Sequence, residues 1–90
     1  MTSKRVWLNV DPECLVLQKE AVDKLQSAEG ELALNFSSVV RIDSRAALAM
    51  ENLVDLAGQR SRKIELRAVN TTIYKTLKLL KLERRFTVVS

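Results

Sequence analysis

One junction in this chain carries side chains that could do more than pack. Asp43 and Ser44 sit in the stretch Leu34-Asn35-Phe36-Ser37-Ser38-Val39-Val40-Arg41-Ile42-Asp43-Ser44-Arg45-Ala46-Ala47. The stretch reads as a buried strand, a short polar break, a second extended piece and an abrupt helix start. Both Asp43 and Ser44 can accept a hydrogen bond from the free N–H groups of a first helical turn. A helix N-terminus also favours an anion, so a phosphate could be held there. An ordinary N-cap uses the same residue types, so cap chemistry alone does not distinguish a working surface from a simple helix start.

Other chemistries are short of parts. The chain has no His, one Cys and two glycines, Gly30 and Gly58. Nucleophile–His arrangements and His-ligated metal sites are therefore excluded. So is a glycine-rich phosphate loop of the Gly-x-Gly-x-x-Gly or Gly-x-x-x-x-Gly-Lys kind. Asp43 and Asp55, the acids that flank the second helix, lie too far apart along one element for a paired acid–base site. No loop is long enough to wall a pocket. These features argue against an enzyme, and no metal or cofactor is expected. Cys14, alone among apolar neighbours, reads as a small core residue.

The elements that must position the junction follow from hydrophobic periodicity. Ninety residues suit one small domain spanning 1–90. Val6 to Val10 alternates as a strand with one buried face. Asp11-Pro12 reads as an N-cap and first helical residue. Cys14, Leu17, Ala21, Leu25 and Ala28 then recur at helical spacing, and Gly30 is a stop signal. A competing reading makes Asp11-Pro12-Glu13 a hairpin turn with Cys14 to Leu17 as a strand. Glu31 to Phe36 is the next strand, followed by the Val39–Ile42 segment. A second helix runs from about Ser44 to Gln59, with Ala46, Ala49, Met50, Leu53, Leu56 and Ala57 as its apolar stripe. Ile64 to Val69 alternates as a strand, with Ile64, Leu66 and Ala68 pointing one way. Asn70 or Thr71 caps a third helix that turns Ile73, Leu77 and Leu80 inward. Phe86 to Val89 closes as a short strand. Alternating strands and helices predict an α/β domain with a largely parallel sheet.

Charge is uneven. Residues 1–59 carry six bases against nine acids, and residues 60–90 carry nine bases against Glu65 and Glu83. The last third is a basic lobe, able to attract nucleic acid, an anionic membrane surface or an acidic protein. Lys75, Lys78, Lys81 and Arg85 fall on a similar helical face, a stripe able to meet phosphates. The aromatics Trp7, Phe36, Tyr74 and Phe86 do not interleave with these bases as a stacking platform would. That argues against specific nucleic-acid binding. No apolar run approaches the length of a membrane span. The first residues lead straight into a strand, which points to a cytoplasmic protein.

The junction resembles the signature of the STAS family, the fold of anti-sigma factor antagonists. In that family a strand ending in Asp-Leu-Ser is followed by an apolar run and then Asp-Ser-Ser-Gly at a helix start. The matching residues are Asn35-Phe36-Ser37, then Val39, Val40 and Ile42, then Asp43-Ser44. Arg45 stands where the family has its switched serine, and Ala46 replaces the glycine. The resemblance implies a single small STAS-like α/β domain. Its sheet would be mixed and mostly parallel, with about three helices packed mainly on one face. It also implies a switch: the N-terminus of the second helix docks on a partner kinase, and phosphorylation of the second serine releases it. Here Ser44 is the remaining acceptor. As the presumed cap residue, its hydroxyl would be engaged with the first turn. Asp43, Ser44, Arg45, Leu48 and Asn52 are then the expected partner-binding surface, because Leu48, Asn52, Asp55 and Gln59 share one helix face.

A second branch of the same family is also similar. STAS subunits of phospholipid-transporting ABC complexes carry a Leu-Ile-Asp-Leu-Ala-like run, which Leu53-Val54-Asp55-Leu56-Ala57 resembles. Val69-Asn70 followed by Ile73-Tyr74 resembles that branch too. Such subunits bind the transporter's nucleotide-binding subunit at the cytoplasmic membrane face. The expectation is thus a non-enzymatic cytoplasmic adaptor that binds a protein partner, either an anti-sigma kinase or an ABC nucleotide-binding subunit. A small nucleic-acid-binding domain using the basic lobe is the alternative of another class.

Overall fold

A computed structural model describes residues 5–27 and 31–89. Four strands form one sheet: β1 (Arg5–Asn9), β2 (Glu31–Asn35), β3 (Ile64–Arg67) and β4 (Thr87–Val89). They lie side by side in chain order, and every pairing is parallel. The expected α/β domain with a mostly parallel sheet is thus present, and among the described residues every strand pairing is parallel. Helices α1 (Glu20–Ser27), α2 (Ser44–Gln59) and α3 (Thr71–Leu79) make the three crossovers. Right-handed crossovers that always step in the same direction place their helices on the same side of a sheet.

The register shows why that side is apolar. Val6 pairs with Leu32 and Leu32 with Ile64, while Leu8 pairs with Leu34, Leu34 with Leu66 and Leu66 with Val88. These residues share one face, since side chains alternate along a strand. Against them stand Leu17, Ala21 and Leu25, then Ala46, Met50, Leu53 and Ala57, then Ile73 and Leu77, all buried in one core. The opposite face carries Trp7, Ala33, Glu65 and Thr87 in one row. Arg67 lies across it. Its guanidinium is 5.1 Å from the Trp7 ring centre, and its Nε donates to the Glu65 carboxylate at 2.7 Å. Ala33 and Glu65 are buried on this face, which none of the described helices covers.

Three expectations need correction. The first helix does not start at Pro12. Cys14 adopts a left-handed backbone (φ 61°), a short 3-10 turn follows at Leu15–Leu17, and α1 begins only at Glu20. The cause is Asp11. Its carboxylate accepts from the N–H groups of Leu15 and Val16, four and five residues on, and so folds a loop instead of capping a helix. The hairpin alternative is not formed either, because Cys14 to Leu17 is not a strand. Cys14, Leu17, Ala21 and Leu25 are nevertheless all buried, as their spacing predicts. Ala28 and Gly30 lie outside the described residues. Next, the extended Val39–Ile42 piece is irregular chain with no sheet partner among the described residues, held down by buried Val39 and Ile42. Finally, β3 stops at Arg67, and Ala68 turns out exposed with φ 59°.

Candidate functional site

The junction is built by three elements. The chain leaves β2 at Asn35, whose side-chain oxygen accepts from Ser37 N–H while its amide donates to Asn9 Oδ1. Residues 36–43 then cross to α2. Asn70, the N-cap of α3, ties this crossing down. Its amide nitrogen donates to the carbonyls of Val39 and Val40, and its oxygen accepts from Ile73 N–H at 2.8 Å. One side chain thus caps a helix and fixes the approach to the neighbouring one.

Asp43 is the N-cap of α2. Its extended backbone and its carboxylate, 2.8 Å from Ala46 N–H, satisfy one of the free donors of the first turn. Ser44 is the first helical residue, exposed, with no side-chain hydrogen bond to the described residues. The expected engagement of its hydroxyl as a cap is thereby corrected, because Asp43 performs that task. Arg45 is exposed, with its positive charge against the helix dipole.

Around this point lie apolar side chains that face solvent. Val40 is 74% exposed, Leu48 67% and Leu15 53%. Asn52 is exposed one turn beyond Leu48. A shallow cavity of about 270 Å³ is lined by Pro12, Glu13, Leu15, Arg41, Asp43 and Arg45. The structure therefore sets the Asp11–Leu15 loop beside the helix start, and this loop was missed by sequence reasoning. Its only sequence cue was that Pro12 follows strand one, whereas the contact depends on β1 and β2 being neighbours. Val40 and Arg41 belong to the second extended piece of the stretch, and nothing in the linear pattern singles them out.

Two titratable groups beside the junction depart from their ordinary range. The Asp11 carboxyl is held below its ordinary range, chiefly by the Val16 N–H bond. Burial, with Asp11 and Asp43 nearby, pushes the Cys14 thiol up to about 11. At neutral pH it is a protonated, buried thiol rather than a nucleophile.

The basic residues are distributed differently from the expected stripe. Because α3 ends at Leu79 and Lys81 adopts φ 59°, only Lys75 and Lys78 are helical. Lys81 and Arg85 lie in the following turn, at the opposite end of the sheet from the junction. Arg85 approaches Asp55 of α2 at 3.8 Å, an exposed pair.

The sequence pattern of the STAS domain family matches residues 16–90. The chain belongs to that family. Its structure is similar to the crystal structure of a candidate anti-sigma factor antagonist from Thermotoga maritima, with a TM-score of 0.73 and 19% identity. The match covers 100% of this chain and 76% of that one. At that identity the likeness shows a shared fold. No curated protein matches the chain.

Proposed function

We propose that this STAS domain is a non-enzymatic adaptor that works in the cytoplasm by binding a protein partner through the N-terminus of α2. The observation that carries this reading is the surface around Asp43, Ser44 and Arg45. A capped helix start there is ringed by exposed Leu15, Val40 and Leu48. Exposed apolar side chains gathered around a polar centre are typical of interaction sites. In an anti-sigma factor antagonist-like role, the partner is a kinase that reads this helix start. Arg45, at the position where the family has its phosphorylated serine, then replaces a negative switch with a fixed positive contact.

The same feature favours a second reading. A surface with no acceptor at the switch position suits a permanent adaptor, such as a STAS subunit held on the nucleotide-binding subunit of a phospholipid-transporting ABC complex. Both roles use one surface. Arg45→Glu tests it by mimicking a phosphorylated switch while suiting the helix dipole. Titration calorimetry against a cognate anti-sigma kinase or transporter nucleotide-binding subunit should show at least tenfold weaker binding, with unchanged circular dichroism. Unchanged affinity in a folded variant would remove this surface from consideration.

A further inference from the structure

The end of the molecule opposite the junction carries a second surface. In a parallel sheet every strand is entered from the same end. The α2–β3 turn and the α3–β4 turn therefore lie side by side, since Glu65 pairs with Thr87. The first turn holds Arg60, Arg62 and Lys63, and the second holds Lys81, Arg84 and Arg85, with Lys78 in the last turn of α3 just before it. Sequence separation hides this, because the two groups are some twenty residues apart. The fold gathers seven bases against the single acid of those two segments, Glu83, whose side chain is partly buried. Nearby Asp55 offsets only Arg85, and Glu31 shares a shallow cavity with Arg60, Arg62 and Lys63.

The bases are not alone. Leu79, the last residue of α3, is 83% exposed, and Leu80 beside it, expected to face inward, is 39% exposed because the helix has ended before it. These leucines sit between Lys78 and Lys81. Nothing in the core requires Leu79, whose helix buries Ile73 and Leu77 on its other side. A pole with many bases and protruding aliphatic side chains, but no aromatic residue for stacking, fits one chemistry better than the others. Nucleic acid would use the charges and leave the leucines in a phosphate environment. An anionic bilayer uses both, with bases at the headgroup phosphates and leucines entering the acyl boundary.

We propose that this basic pole docks on an anionic lipid bilayer. The α2 N-terminus lies at the far end of the sheet, so a docked molecule holds its junction away from the lipid. The inference does not depend on the partner assigned to that junction.

The test is flotation of the purified protein with vesicles of phosphatidylcholine alone and with about 30% phosphatidylglycerol. Retention is expected on the anionic vesicles only, and it should fall as salt is raised. Lys63→Gln with Arg84→Gln should weaken retention by roughly 25-fold, at about fivefold per base. Leu79→Ser keeps every charge and should cost about tenfold. Arg45→Glu, at the other pole, should leave vesicle binding unchanged. No retention on anionic vesicles would overturn the proposal. So would retention insensitive to Leu79→Ser accompanied by equal, salt-sensitive binding to duplex DNA, which would make the pole a polyanion site. Because the substituted residues are exposed and outside the core, a native circular dichroism spectrum is expected for each variant. Lys81→Gln, also in the second turn, provides a further charge variant should one of the others misfold.

Discussion

Two side chains at adjacent positions divide the work of the junction. Asp43 uses its carboxylate to hold the first turn of α2, so Ser44 is left with an exposed hydroxyl. If a cognate kinase modifies this protein, Ser44 is the expected acceptor, ahead of Ser37, Ser38 and Thr72. Arg45 should then blunt the effect, because its guanidinium partly neutralises an added phosphate. Mass spectrometry after incubation with the kinase would locate the phosphate. Calorimetry on the modified protein should show weakened but measurable partner binding. Modification at Ser37 with Ser44 untouched would contradict this division of roles. Full release on Ser44 phosphorylation would show that Arg45 does not buffer the switch.

Helix ends and helix faces supply the next tests. Both α2 and α3 finish with a non-glycine residue in the left-handed region, Ser61 at φ 53° and Lys81 at φ 59°. In each case the following N–H reaches back to close the helix: Arg62 to the Ala57 carbonyl and Leu82 to the Leu77 carbonyl. That closure normally uses glycine, which has no Cβ to clash. Ser61→Gly should therefore stabilise the protein by about 0.5–1 kcal/mol in urea denaturation. A destabilised variant would show that the gain at this φ does not exceed the added freedom of the unfolded chain. Leu53 on α2 and Leu77 on α3 are fully buried against the sheet. Changing either to Ala should cost ~2–5 kcal/mol. Losses under ~1 kcal/mol at both sites would contradict the packing described.

At the scale of the whole molecule, strand order decides which surfaces exist. Strands added one after another in the same direction leave one sheet face without helices. There Arg67 spans from Trp7 to Glu65. Its stem covers apolar surface while its charge stays paired, as long basic side chains often do. Arg67→Ala should uncover the Trp7 ring. The expected results are a red-shifted tryptophan emission and a loss of about 1–2 kcal/mol. An unmoved spectrum would mean that the stacking is not kept in solution. The same topology separates the two working ends, with the capped start of α2 at one and the basic turns at the other. Substitutions at the two ends should act independently, as distant sites usually do.

Much of this was legible in the linear chain, for local reasons. Helix caps, the apolar stripe of α2 and the alternation of the strands depend on neighbours a few residues away. The bounds of α2 could therefore be read directly, and its cap and that of α3 narrowed to Asp43 or Ser44 and to Asn70 or Thr71. The burial of Cys14, Leu17, Ala21 and Leu25 was legible even where the backbone was not. Hydrophobic spacing reports which residues go inside, but it does not report that Asp11 diverts two amides and breaks the helix. Other features needed the fold. The contact of the Asp11–Leu15 loop with the start of α2, the tether from Asn70 to Val39 and Val40, and the meeting of two basic turns join residues that are distant in sequence. The sequence by itself determined the order of the elements and, Ala68 and Leu80 aside, their inward faces, because those are set by short-range sterics and by periodicity. Only the tertiary structure decided what lies beside what, because strand order and crossover hand place the loops at one end of the sheet or the other.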